Sequence, residues 1–67
     1  MHANDNLELV SLNEAARLTS LSRTFLNRLR DDGKFPRAVP MGDRRIAFLK
    51  SEVMDFIRGR IAMRAAA

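Results

Sequence analysis

The stretch LNEAARLTSLSRTFLNRLRDDG, residues 12–33, decides the fold. Ser11 and Glu14 match a capping box, in which the serine hydroxyl accepts from the Glu14 amide and the carboxylate reaches back, so a first helix is predicted from Leu12. The next three residues, Thr19-Ser20-Leu21, are too few for a free loop and suit a tight turn. This order of elements begins a helix-turn-helix.

The second helix has its own start and stop signals. Ser22 is a favourable N-cap, and Gly33 is a typical helix stop, so the helix is predicted to run to about Asp32. Apolar residues recur at helical spacing in both helices, which indicates a shared core. The expected inward residues are Leu12, Ala15, Ala16 and Leu18 on the first helix and Phe25, Leu26 and Leu29 on the second.

A β-hairpin is predicted after Phe35-Pro36, which ends any helix. Val39 and Met41 alternate with polar or small residues, as do Ile46 and Phe48, and Pro40 favours an edge strand. Gly42-Asp43 suits a two-residue type II′ turn. In that register Met41 lies opposite Arg44 and Val39 opposite Ile46; a longer loop would change the assignment. The expected inner face is residues 39, 41, 44, 46 and 48, with Arg45 and Ala47 outside.

A third helix is predicted from Glu52 to about Met63, capped by Ser51. Its expected buried stripe is Val53, Phe56, Ile57 and Ile61. The predicted fold is therefore mainly α with a small β-hairpin: a winged helix-turn-helix of three helices plus a wing. We expect residues 1–6 to be a flexible N-terminus, residues 7–63 to be the folded domain and residues 64–67 to be a C-terminal tail.

Charge is concentrated in the middle of the chain. The net charge is +4, and residues 23–45 contain seven basic and three acidic residues. Basic charge clustered on one element indicates a polyanionic partner, although a solvated basic face would have the same composition. No cysteine is present, and no apolar run approaches the ~20 residues that a membrane span needs. We therefore expect a cytoplasmic protein that does not bind membranes.

Catalytic chemistry finds little support in the residues. The chain has one histidine, His2, next to its N-terminus, and no cysteine, so no metal-ligand cluster is predicted. Asp31-Asp32 lies in the last turn of a helix and is better explained as surface charge than as an acid–base pair. We expect no enzymatic activity and no cofactor.

The second helix and the wing are the candidate DNA contacts. In a helix-turn-helix the first turns of the second helix meet the base edges in the major groove, where arginine pairs with guanine and asparagine with adenine. Residues beyond that helix can contact phosphates, and wing arginines can enter the minor groove. The same side chains would also suit an ordinary solvated surface. The candidate residues are Arg23, Thr24, Asn27, Arg28, Lys34, Arg37, Arg44 and Arg45.

Several short motifs in this order resemble the AlpA-like phage regulators, which are grouped with the excisionase and MerR-like winged-helix DNA binders. The matching residues span about 8–61: Leu21-Ser22-Arg23, Arg28-Leu29, Gly33-Lys34-Phe35-Pro36-Arg37, Gly42-Asp43-Arg44-Arg45, Ser51-Glu52-Val53 and Phe56-Ile57. Three positions depart from the pattern: Ser20 replaces a turn glycine, Phe25 a small polar residue and Arg30 an apolar residue.

The resemblance implies a DNA-binding protein of a prophage or integrative element. Such a protein acts as an excisionase, which bends attachment-site DNA for an integrase, or as a transcriptional regulator of integrase genes. The expected partners are double-stranded DNA, further copies in a cooperative head-to-tail assembly, and an integrase. Two alternatives are an adaptor that binds a phage repressor or integrase without DNA, and a DNA-packaging recognition domain.

Overall fold

The computed structural model describes the backbone of residues 7–66 and the side chains of residues 7–64. The N-terminal segment predicted to be flexible, with His2, lies outside the described residues. The elements in chain order are β1 (Leu9–Val10), α1 (Leu12–Thr19), α2 (Arg23–Asp31), β2 (Val39–Pro40), β3 (Ile46–Leu49) and α3 (Lys50–Ala66). Three helices and a small antiparallel sheet confirm the predicted fold class. No helix in this part of the chain is long and apolar enough to cross a membrane.

The sheet has the order β1-β3-β2, so β3 is its central strand. Val10 pairs with Phe48 on one side of β3, and Val39 pairs with Ala47 on the other. Strand β1 was not predicted, because two residues are too short for a periodic pattern. Pro40 lies in the outer strand β2, where its missing N–H costs no ladder hydrogen bond, as predicted.

The hairpin register differs by one residue from the prediction. Pro40, rather than Val39, pairs with Ile46, and the Met41 N–H donates to the Arg45 carbonyl oxygen at 2.8 Å. The loop therefore has three residues, 42–44, and Gly42 does not take the positive φ that a type II′ turn requires.

The one-residue shift moves side chains to the other face of the sheet, since successive residues of a strand point to opposite faces. Val39 now shares a face with its partner Ala47, which is buried, and not with Phe48. Met41, predicted to lie inside, is exposed. The predicted inner-face position of Arg44 is also wrong, because Arg44 belongs to the loop.

The core is small and is built from every element except β2. Its buried side chains are Val10, Ala15, Leu26, Leu29, Phe35, Phe48 and Val53. The rings of Phe35 and Phe48 meet edge to face, with centroids 5.4 Å apart, and those of Phe35 and Phe56 are 4.9 Å apart. Such edge-to-face pairs contribute about 0.5–1.5 kcal/mol beyond the burial of their area.

Helix α3 begins earlier and ends later than the sequence predicted. It follows β3 without a loop, so Ser51 lies inside the helix instead of capping it. The Lys50 N–H donates to the Glu8 carbonyl oxygen at 2.8 Å, which extends the β1–β3 pairing to the first helical residue. Val53 is fully buried and Phe56 and Ile57 are half-buried, but Ile61 is 51% exposed, because the last turns of α3 extend beyond the core.

Candidate nucleic-acid interface

The corner between α1 and α2 is held by the backbone and one hydroxyl group. Ser20 takes the left-handed conformation, with φ 63°, and its N–H donates to the Arg17 carbonyl oxygen. The Thr19 Oγ1 donates to the Ala15 carbonyl oxygen at 2.9 Å and accepts from the Leu21 N–H at 3.3 Å. These bonds close the short predicted turn and determine the direction in which α2 leaves α1.

The N-termini of α1 and α2 are capped by serine, as predicted. The Ser11 Oγ accepts from the Glu14 N–H at 3.0 Å, and the Ser22 Oγ accepts from the Phe25 N–H at 3.0 Å. The second half of the predicted capping box does not form, because the Glu14 carboxylate bonds to Arg17 one turn further along.

Two buried leucines set the rotation of α2. Leu26 is fully buried and Leu29 nearly so, which turns the opposite side of the helix to solvent. The four predicted contact residues of this helix, Arg23, Thr24, Asn27 and Arg28, are all exposed. Phe25 was predicted to belong to the buried stripe, and this prediction is wrong. The side chain is 40% exposed and lies on the flank of the helix, toward α3.

Arg30 is a residue of this surface that sequence reasoning did not select. Its Nη1 donates to the Asn27 Oδ1 at 2.8 Å, and its guanidinium lies over the Phe48 ring, 5.7 Å from the centroid. One face of the guanidinium thus packs on the core while an edge holds an exposed amide. The three-residue spacing from Asn27 was the available signal, since such pairs are neighbours on a helix.

The end of α2 is a Schellman motif. Gly33 has φ 72°, its N–H donates to the Arg30 carbonyl oxygen, and the Lys34 N–H donates to the Leu29 carbonyl oxygen at 2.8 Å. Phe35 then enters the core, which sequence reasoning did not predict. Lys34 and Arg37, on either side of this anchored ring, are both exposed.

The remaining two candidates lie at the wing. Arg44 is in the three-residue loop and Arg45 is the first residue after it, and both are exposed. The Met41–Arg45 hydrogen bond closes the base of the loop, which places Arg45 at the base and Arg44 one residue nearer the tip. The contact of Arg30 with Phe48 places α2 beside β3, the strand that begins just after these arginines.

The charges of this region are available to a ligand. In the part of the chain that the structure describes, ion pairs involve Arg17, Lys50 and Arg58. The six basic candidates, namely Arg23, Arg28, Lys34, Arg37, Arg44 and Arg45, form none there. By contrast, the hydrogen bond from Arg17 lowers the pKa of Glu14 below its usual value, and the same contact raises the pKa of Arg17.

The sequence profile of the family described as Prophage CP4-57 regulatory protein (AlpA) matches residues 8–61, most of the chain. The chain belongs to the AlpA family of phage regulatory proteins. It is also similar to the uncharacterized protein ORF88 of Enterobacteria phage P4, with 41% identity over 51 residues. That match covers 76% of this chain and 58% of the phage protein. No solved structure matches the chain.

Proposed function

We propose that this AlpA-family chain is a sequence-specific DNA-binding regulator of a mobile element that places α2 in the major groove of double-stranded DNA. The observation that carries the proposal is the orientation of α2. Its buried leucines, capped start and closed corner present Arg23, Thr24, Asn27 and Arg28 together, with no ion pair among the described residues to neutralise them.

Each group of residues has a distinct task in this proposal. Arg23 or Arg28 pairs with a guanine edge, and Asn27 pairs with an adenine edge through its amide. The Asn27 Oδ1 has two lone pairs, so it can keep its bond from Arg30 while it accepts from a base. Lys34 and Arg37 bind phosphates, and Arg44 and Arg45 follow the backbone or enter the minor groove.

The finer role is excision control, transcriptional control of the integrase or other genes of the element, or both. Neither role needs a catalytic group, because both act by shaping or occupying DNA. A single small domain buries little DNA surface. Several copies are therefore proposed to bind one attachment site cooperatively, head to tail, and to assist an integrase.

The test separates α2 from the wing. A site is first selected from a random duplex library, and affinities for this site and for random DNA are then measured by fluorescence anisotropy. Asn27→Ala and Arg28→Ala should each cost about 1–3 kcal/mol on the selected site and much less on random DNA. Arg44→Ala and Arg45→Ala should weaken both by similar factors. Wild-type affinity should fall by orders of magnitude from low to physiological salt.

Arg58→Ala is the matched control, since Arg58 is equally basic but pairs with Asp55 on α3. It should leave both affinities nearly unchanged. A library from which no sequence is enriched, or equal losses on selected and random DNA for the α2 variants, would contradict the proposal.

A further inference from the structure

A groove lies between the α1–α2 corner and α3. Its volume is about 370 Å³, and six apolar side chains line it, among them Leu18, Phe25, Ile57 and Ile61. None of the eight residues proposed to contact DNA is part of its lining. The groove is therefore a separate feature of the surface.

The groove exposes side chains that a folded protein normally covers. Phe25 is 40% exposed and Ile61 is 51% exposed, while Leu18 and Ile57 are half-buried. Single exposed apolar residues need no explanation, but a contiguous concave set drawn from α1, α2 and α3 is typical of a binding surface.

The charge around the groove has one sign. Arg60 and Arg64 belong to its lining, no carboxylate does, and Arg60 lies over the Phe56 ring, 5.0 Å from the centroid. Elsewhere on α3, Arg58 is paired with Asp55 at 2.8 Å. Among the described residues Arg60 and Arg64 have no such carboxylate partner, so the groove combines an apolar floor with unneutralised positive charge.

We propose that this groove docks an amphipathic helix of a partner protein, with apolar side chains at three- and four-residue spacing and carboxylates along one flank. The apolar side chains would fill the floor, as in other helix-in-groove complexes, and the carboxylates would pair with Arg60 and Arg64. A symmetric pairing of two copies through this groove is disfavoured, because it would bring the arginines of both copies together without a lining carboxylate. DNA is disfavoured by the apolar floor, which offers phosphates no partner.

A peptide display experiment on the full chain tests this proposal. A library of random helical peptides is selected against the protein, and enriched peptides are titrated into isotope-labelled protein by NMR. Acidic amphipathic peptides should be enriched, and their shifts should centre on Leu18, Phe25 and Ile61. Ile61→Glu and Arg64→Glu should each weaken binding by about tenfold or more. Arg58→Glu, on the same helix but outside the lining, should change it by less than about twofold.

Affinity for the selected DNA is measured on the same variants. It should change far less for Ile61→Glu and Arg64→Glu than for Asn27→Ala, which keeps the two surfaces distinguishable. The proposal is overturned if no peptide or only basic peptides are enriched, or if the shifts lie outside the groove. Self-association in sedimentation that Ile61→Glu abolishes would assign the groove to a second copy. A DNA-affinity loss in both groove variants equal to that of Asn27→Ala would assign it to DNA.

Discussion

At the scale of single residues, Arg30 connects the core to the proposed readout surface. Its guanidinium lies over the fully buried Phe48 ring and donates to the exposed Asn27 amide. The contact with the core therefore restricts the rotamer of Asn27. An exposed asparagine normally samples several rotamers, and holding one before binding removes part of the entropy cost of recognition. At this position, where the family resemblance predicts an apolar residue, the arginine both covers the Phe48 ring and bonds to Asn27.

Arg30→Met keeps a long unbranched side chain over Phe48 but removes the hydrogen bond to Asn27. We expect affinity for the selected DNA site to fall by about 1 kcal/mol, because the Asn27 side chain must then be ordered on binding, which costs about that much per side chain. The losses from Arg30→Met and Asn27→Ala should be non-additive, because Arg30 acts through the Asn27 amide, which the second substitution removes. A double-mutant cycle measured by anisotropy checks this.

The control cycle combines Asn27→Ala with Arg44→Ala, which lie on separate elements and should act additively. Additive losses in the Arg30–Asn27 cycle as well would mean that Arg30 does not position the amide.

At the scale of elements, Gly33 and Gly59 allow the effect of backbone conformation to be compared without a difference in steric space. Gly33 ends α2 with φ 72°, whereas Gly59 lies inside α3, and a Cβ at either position would meet no atom within 4 Å. Steric space is therefore equal, and only the backbone conformation differs. An L-residue in the left-handed region costs about 1–2 kcal/mol, while alanine in a helix interior gains about 1 kcal/mol over glycine.

Gly33→Ala should accordingly destabilise the protein by about 1 kcal/mol, and Gly59→Ala should stabilise it by a similar amount. Urea denaturation followed by circular dichroism measures both free energies of unfolding. A stabilising Gly33→Ala substitution would be incompatible with the Schellman end of α2.

Local sequence signals are sufficient to predict the helix ends but not the hairpin register. Ser11, Ser22 and Gly33 mark helix ends through bonds to residues at most five positions away, and each acts as the sequence predicted. The predicted hairpin register was wrong because the loop has three residues and not two, and Gly42-Asp43 alone does not specify the loop length.

At the scale of the whole molecule, stability depends on very few side chains. Domains of about this size bury only about 60% of the surface that their unfolded chains expose. The phenylalanines offer a direct comparison, because Phe48 is fully buried whereas Phe25 is 40% exposed. Substituting each of them by alanine and comparing the free energies of unfolding therefore measures how much the core contributes to stability.

Phe48→Ala should cost about 3–5 kcal/mol, enough to abolish most of the cooperative unfolding transition of a small domain. Phe25→Ala should cost much less, since its ring is already partly in water. Thermal unfolding followed by circular dichroism compares the two variants. A Phe48→Ala protein that unfolds with the wild-type Tm would contradict the central position of this ring.

The proposed role in excision leads to a prediction about the complex with DNA. We expect several copies to bind one attachment site cooperatively and to bend it, because bending costs energy that multiple contacts can offset. A circular-permutation gel-shift assay measures the bend, and an integrase assay with and without the protein measures excision. A single unbent complex, with excision independent of the protein, would instead favour the role of transcriptional regulator.

The sequence by itself determined the fold class, the three helices, the two serine caps, the glycine end of α2 and the family. These follow from periodicity, short-range bonds and ordered motifs, all of which are local in the chain. Only the tertiary structure decided the register of the wing, the extent of α3, the stacking of Arg30 on Phe48 and the exposure of Phe25 and Ile61. The register depends on a loop length that the turn residues do not specify, whereas the other features depend on which distant element lies alongside. Helical spacing alone cannot tell a side chain that meets the core from one that faces an open groove.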